Sequence, residues 1–188
     1  DVVLKMLHEV IPAHSVEAFQ AHQDIDLSYH TSEGRYRVNC LWERGNPGIV
    51  VRLIPQTIPT MEDLGLTPAV KELCTADGGI MLFTGVTGAG KSTNLASVVE
   101  YINSTTASHI ITLEDPIEFL YTPKKSVIRQ REVGSDINSF QSALKYVVRQ
   151  DPDVVVVGEM RDLETIASAL TIPETGHLVI ATLHTPSA

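Results

Sequence analysis

A chain of 188 residues with 43% hydrophobic and 20% charged residues has the composition of an ordinary globular protein. Its 14 basic against 23 acidic residues give a formal net charge of −9, which argues against a dedicated nucleic-acid surface. The longest apolar runs, such as VVVV at 154–157, fall far short of the roughly 20 residues that span a bilayer. The two isolated cysteines, Cys40 and Cys74, make neither a disulfide framework nor a zinc site, which suits a reducing cytosol.

In chain order, apolar residues at Val3, Leu4, Leu7, Val10 and Ile11 form a helical stripe that begins at the first residue, as in a piece of something longer. Ser15 is positioned to cap a second helix running to about His22. Three strand-like runs follow at 25–30, 35–42 and 48–54. TSEG between the first two reads as a hairpin turn, with Gly34 supplying the permissive backbone. Residues 1–55 are therefore expected to form an α+β unit. The stretch 56–68, which follows Pro55 and carries Pro59 and Pro68, reads as a linker. A short helix at 69–76 then leads into a different pattern.

From Gly79 onward, β-branched runs alternate with helices: IMLFT, helix 91–102, HIITLE, SVIRQREV, helix 139–149, DVVVVG, helix 162–171 and LVIATL. This alternation predicts a parallel sheet covered on both faces over 69–188. Ligands of such sheets bind beyond the carboxyl ends of the strands.

The strand IMLFT runs into GVTGAGKS, residues 85–92, which matches GxxxxGK[ST]. Gly85, Gly88 and Gly90 allow backbone N–H groups to turn inward around phosphates. Lys91 would reach the β and γ phosphates, the Ser92 hydroxyl would ligate Mg²⁺, and the following helix would point its positive end at the same anion. DVVVVGE, 153–159, is a buried strand ending in Glu159, an acid suited to hold Mg²⁺ directly or through water. LEDPIEF, 113–119, crowds Glu114, Asp115 and Glu118 at another strand end. Any one of them could orient and deprotonate an attacking water, and the crowding predicts a raised pKa through like-charge repulsion.

Arg35, Arg37, Arg44 and Arg52 in the first unit, and Arg129 and Arg131 later, are either surface charges or candidates to stabilise a transferring phosphate. His177 and His184 bracket LVIATL. If that run is one strand, its length of roughly 23 Å forbids the two from sharing a metal ion. Only His184 falls at the carboxyl end, where the phosphates would be.

GVTGAGKS, ITLEDPIEF, REVGSDINSFQSALKYVVRQDPD, GEMRDLETIASAL and ETGHLVIATLHTPSA, in this order and spacing, resemble the secretion-superfamily ATPases of type IV pili and type II secretion. The resemblance runs from about residue 20 and is most specific to the pilus-retraction branch. It implies a RecA-like P-loop ATPase core preceded by part of a PAS-like domain. ATP and Mg²⁺ would meet Gly85, Thr87, Gly88, Ala89, Gly90, Lys91, Ser92 and Thr93. Glu118 would be the catalytic glutamate, Glu159 the second acid and His184 a γ-phosphate contact. Arg52 and one of Arg35, Arg37 or Arg44, with Arg37 carried forward, would reach the nucleotide when the first domain closes.

The resemblance further implies a homohexameric ring at the cytoplasmic face of the inner membrane, acting on the pilus platform protein without inserting into the bilayer or binding nucleic acid. A pilus-assembly or secretion ATPase is the nearest alternative, and a nucleotide-binding regulator that does not hydrolyse is one of another class. Val86 stands where the family often has proline and Ala89 where it often has serine; neither removes a phosphate-binding backbone group. Pro173 should end the preceding helix early. The chain stops at Ala188, before the family's C-terminal domain.

Overall fold

The computed structural model describes residues 2–184, so the TPSA end of the last quoted motif lies outside the described residues. The chain divides into two compact units, residues 1–56 and 57–188.

In the first unit, α1 (Val2–Val10) and α2 (Val16–Gln20) precede a meander of β1 (Ile25–Thr31), β2 (Gly34–Glu43) and β3 (Asn46–Ile54). The three strands pair antiparallel in sequence order. Period-two alternation turns Tyr36, Val38, Cys40 and Trp42 of β2 toward Leu7, Ile11 and Phe19 of the helical layer. Trp42 stacks on Phe19 with ring centroids 5.2 Å apart, and its indole N–H donates to the Phe19 carbonyl at 2.8 Å.

Two local expectations change here. Ser15 occupies the N-cap position of α2 but makes no capping bond, because a 3₁₀ turn at Ala13–Ser15 already holds it in the helical region. Gly34 is not a left-handed turn residue. The hairpin turns at Ser32–Glu33, braced by the Thr31 hydroxyl, which accepts from the Glu33 N–H at 3.1 Å. Gly34 already pairs with Thr31 as the first residue of β2. A left-handed pair does occur at the next turn, where Arg44 and Gly45 have φ of 51° and 78°, the conformation that a two-residue hairpin favours.

In the second unit, α3 (Pro68–Leu73) leads to β4 (Gly79–Gly85), α4 (Lys91–Thr105), β5 (His109–Glu114), β6 (Val127–Glu132), α5 (Phe140–Val147), β7 (Val154–Met160), α6 (Leu163–Thr171) and β8 (Leu178–His184). The five strands form one sheet in the order β4-β8-β7-β5-β6, with every pairing parallel. Alternate residues feed two separate cores. Ile111, Leu113, Val155, Val157, Val179 and Ala181 face one, shared with α5 and α6. Ile110, Val154, Val156, Leu178 and Ile180 face the other, shared with α4. Met61, 2% exposed, joins this second core, so the proline-rich stretch before α3 is packed down at that point.

Helix boundaries follow their side chains. Asp162 caps α6 by accepting from the Thr165 N–H at 2.8 Å and its hydroxyl at 2.7 Å, which holds its carboxyl below the usual range. α6 stops at Thr171, two residues before Pro173 opens a 3₁₀ turn. Cys40 and Cys74 are buried free thiols, and burial pushes each up to about 11. They serve as small core residues.

The two-sided core makes a direct prediction. Ile111→Ala, at a position 0% exposed, should cost about 2–5 kcal/mol of stability. Leu163→Ala, at a position 84% exposed, should stay within about 0.5 kcal/mol. Urea unfolding midpoints check this; equal effects at the two sites would contradict a sheet buried on both faces.

Candidate active site

Five parallel strands bring their carboxyl ends to one edge, and the sequence motifs end there. β4 stops at Gly85, β8 at His184, β7 at Met160 and β5 at Glu114. Gly85 and His184 are register partners, so the phosphate-loop candidate and the second histidine lie side by side.

The loop 86–90 is held open by backbone conformation. Gly88 and Gly90 have φ of 81° and 83°, which L side chains rarely adopt. A Cβ on Gly88 would meet no atom within 4 Å, so conformation and not crowding requires glycine there. Lys91 begins the 15-residue α4 and is 9% exposed. Its ammonium donates to the Gly85 and Val86 carbonyls, both at 2.9 Å, and lies 3.5 Å from His184 Nδ1. The Asn94 amide closes the first turn by donating to the Gly90 carbonyl at 2.8 Å. Thr87 and Ala89 are exposed and Thr93 half-buried. Ser92 makes no side-chain hydrogen bond among the described residues, leaving an oxygen ligand at the head of the helix. A hydroxyl of this kind and the Glu159 carboxylate are the oxygen donor types that a hard divalent cation takes.

Glu159 owes its place to an irregularity that the sequence does not announce. The β7–β8 register shifts between Val157↔Ala181 and Met160↔Leu183, so Gly158 and Glu159 together oppose Thr182. Such a bulge re-aims side chains. The buried Thr182 hydroxyl donates to the Gly158 carbonyl at 2.5 Å, satisfying a bulged backbone group. Gly158 is also a close-approach position, because a Cβ there would come within 3.3 Å of the Leu113 carbonyl. The Glu159 carboxylate pairs with Arg161 at 2.6 Å and faces His184 Nε2 at 3.6 Å. Lys91, His184, Glu159 and Arg161 thus form one chain of polar contacts. Arg161 and Thr182 were not among the sequence candidates; the acid-x-Arg spacing of GEMRD is the visible signal for the first.

The three carboxylates of LEDPIEF separate. Glu114 is half-buried and accepts from the Thr112 hydroxyl at 2.6 Å, the Gln130 amide at 3.2 Å and the Glu118 N–H at 3.3 Å. Its carboxyl is raised above the ordinary range, as expected, but burial is the main cause and the Glu118 charge a minor one. Asp115, joined to Pro116 by a cis peptide, is exposed, and Glu118 is half-buried. β5 stands three strands from β4, about 14 Å at sheet spacing, so the acidic loop and the phosphate loop flank the Glu159 bulge.

Arg37 and Arg52 lie in the first unit, directly opposite each other on β2 and β3. Arg37 donates to Asp26 at 3.4 Å, while Arg52 is exposed. Two cations at one cross-strand pair repel. Arg129 and Arg131 sit on β6, at the far edge of the sheet, where Arg131 donates to the Asp136 carbonyl at 3.3 Å. His177 lies at the opposite end of β8 from His184 and shares a 2.8 Å hydrogen bond with Thr175. Among the described residues no group of three His, Cys, Asp or Glu side chains could hold a metal ion. A groove between α5 and α6, lined by Leu144, Lys145, Val148 and Ile172 among others, lies toward the amino ends of the strands, away from these groups.

The family model for "Type II/IV secretion system protein" matches residues 20–188. The chain is 44% identical over 184 residues to the type IV pilus retraction ATPase PilT of Pseudomonas aeruginosa, covering 97% of this chain and 54% of that protein. It is 45% identical over 184 residues to a twitching motility protein of Neisseria gonorrhoeae, covering 97% and 49%. A crystal structure of the pilus retraction motor PilT with bound ADP superposes with a TM-score of 0.93 at 46% identity, over 97% of this chain and 53% of that one. The chain therefore spans about half the length of these relatives. By sequence and by fold alike, it belongs to the type II/IV secretion system protein family, with the α/β architecture of its ATPases.

Proposed function

We propose that the chain is the nucleotide-hydrolysing part of an ATP-driven motor that retracts type IV pili. The observation that carries this reading is the meeting of Lys91, His184 and Glu159 at the ends of adjacent parallel strands, beside a loop whose Gly88 and Gly90 take the left-handed backbone. Identity of 44–46% to retraction motors supports the biological direction.

In this reading the N–H groups of 86–92 and the positive end of α4 receive the phosphates of ATP. Lys91 exchanges its two carbonyl partners for β and γ phosphate oxygens. Ser92 and Glu159 would hold Mg²⁺, which neutralises charge on the phosphates when bound. Glu118 orients and deprotonates the attacking water. His184, already between Lys91 and Glu159, follows the γ-phosphate and its loss. Arg52 and Arg37 of the first unit, read as part of a PAS-like domain, supply positive charge to the transferring phosphate upon closure. Arg37 already pairs with Asp26, whereas Arg52 opposite it is exposed and available to an anionic partner. The working assembly is a homohexamer at the cytoplasmic face of the inner membrane, docked on the pilus platform protein. No helix among the described residues is long and apolar enough to cross a membrane.

Two measurements on the full-length protein test this. Lys91→Ala removes a charge-assisted contact worth about 1.5–3 kcal/mol, so ATP affinity should fall at least about tenfold; unchanged affinity would overturn the phosphate-loop assignment. A deletion strain complemented with Lys91→Ala should lose twitching while keeping pili on its surface. Absence of surface pili would instead indicate an assembly ATPase.

A further inference from the structure

The acidic loop between β5 and β6 has to be held without ladder hydrogen bonds, since it leaves the sheet at Glu114 and returns only at Val127. Side chains on one face of the two strands supply the missing partners. The register pairs Thr112 with Gln130 and Glu114 with Glu132, so all four residues share a face at the carboxyl edge. Gln130 engages the loop with both ends of its amide. Its Oε1 accepts from the Tyr121 N–H at 2.9 Å, and its Nε2 donates to the Phe119 carbonyl at 2.8 Å and to Glu114 at 3.2 Å. Glu132 accepts from the Ile117 N–H at 2.9 Å, and Glu114 accepts from the Glu118 N–H at 3.3 Å. Residues on both sides of Glu118 are therefore tied to β6, and Glu118 itself to the carboxylate that Gln130 also holds.

We propose that Gln130 is a positioning residue for ATP hydrolysis, fixing the loop that presents Glu118 by bonding its backbone on the far side of Glu118 and the Glu114 carboxylate on the near side. The inference rests on the reading of Glu118 as the base. Only a primary amide does this work, because it offers an acceptor to Tyr121 and two donors to Phe119 and Glu114 at once. Ionised glutamate at the same position would keep the acceptor, lose both donors and set a second carboxylate against Glu114. Hydrolysis is sensitive to such placement, since a shift of about 1 Å in a catalytic group can cost on the order of a hundredfold in rate.

The test is a double-mutant cycle in the full-length protein, with steady-state ATP turnover and equilibrium ATP affinity both measured. Gln130→Ala should lower kcat on the order of ten- to a hundredfold while ATP affinity stays within about twofold, which a loss of overall structure would not produce. Gln130→Glu, isosteric with the native side chain, should also slow turnover, and it carries the test if the alanine variant does not fold. The double variant Glu118→Gln/Gln130→Ala should turn over no more slowly than Glu118→Gln alone, because Gln130 acts through Glu118. Multiplying effects, or wild-type kcat in both Gln130 variants beside a slowed Glu118→Gln, would overturn the positioning role alone. Wild-type turnover of Glu118→Gln would locate the failure in the base assignment and overturn the proposal with it.

Discussion

Parallel pairing imposes a direction on everything in the second unit. Because β4, β8, β7, β5 and β6 all run the same way, every chemically distinctive segment that follows a strand emerges at one edge. Both faces of that sheet are covered by aliphatic cores, so the edge is where polar groups can be concentrated without burial cost. The glycine loop, the bulged acid, the acidic loop and His184 are therefore neighbours by topology before any side-chain contact is considered. Their spacing across the edge, one strand per motif from β4 to β5, suits a ligand with several charges in a row.

At this edge the protein solves two charge problems in opposite ways. Lys91 keeps a buried ammonium by giving it two backbone carbonyls, neutral acceptors that bind a cation less strongly than an anion does. Glu114 is half-buried with three donors around one carboxyl, yet desolvation still dominates and raises its pKa. The first arrangement is exchangeable and the second is structural. On the proposed reading, that difference separates the groups that would meet a nucleotide from those that hold them in place.

Strand and helix identities in the second unit were readable because a buried parallel sheet demands continuous β-branched runs, and HIITLE and VVVV offer no other reading. Lys91, Ser92, Glu159 and His184 could be picked out as candidates because the GxxxxGK[ST] pattern and the strand-ending positions mark them in the sequence itself. What was hidden depends on pairing partners remote in sequence. The bulge that places Glu159 exists only in its register with Thr182. Gln130 looks like an ordinary polar residue of an edge strand until β6 is laid against β5. Gly34 and Ser15 misled for local reasons: Gly34 lies one residue past the turn, and Ser15 sits at the cap position with a backbone already helical. Arg44 was weighed as a phosphate contact, yet its backbone forms half of a tight turn.

We read the carboxyl edge around residues 86–92 as a nucleotide-phosphate site. Amide hydrogen exchange of the full-length protein, with and without ATP and Mg²⁺, tests it most directly. Slowed exchange confined to 86–92, the Glu159 bulge and the end of β8 near His184 is the result predicted. Unchanged exchange there, with protection instead in the groove between α5 and α6, would contradict it.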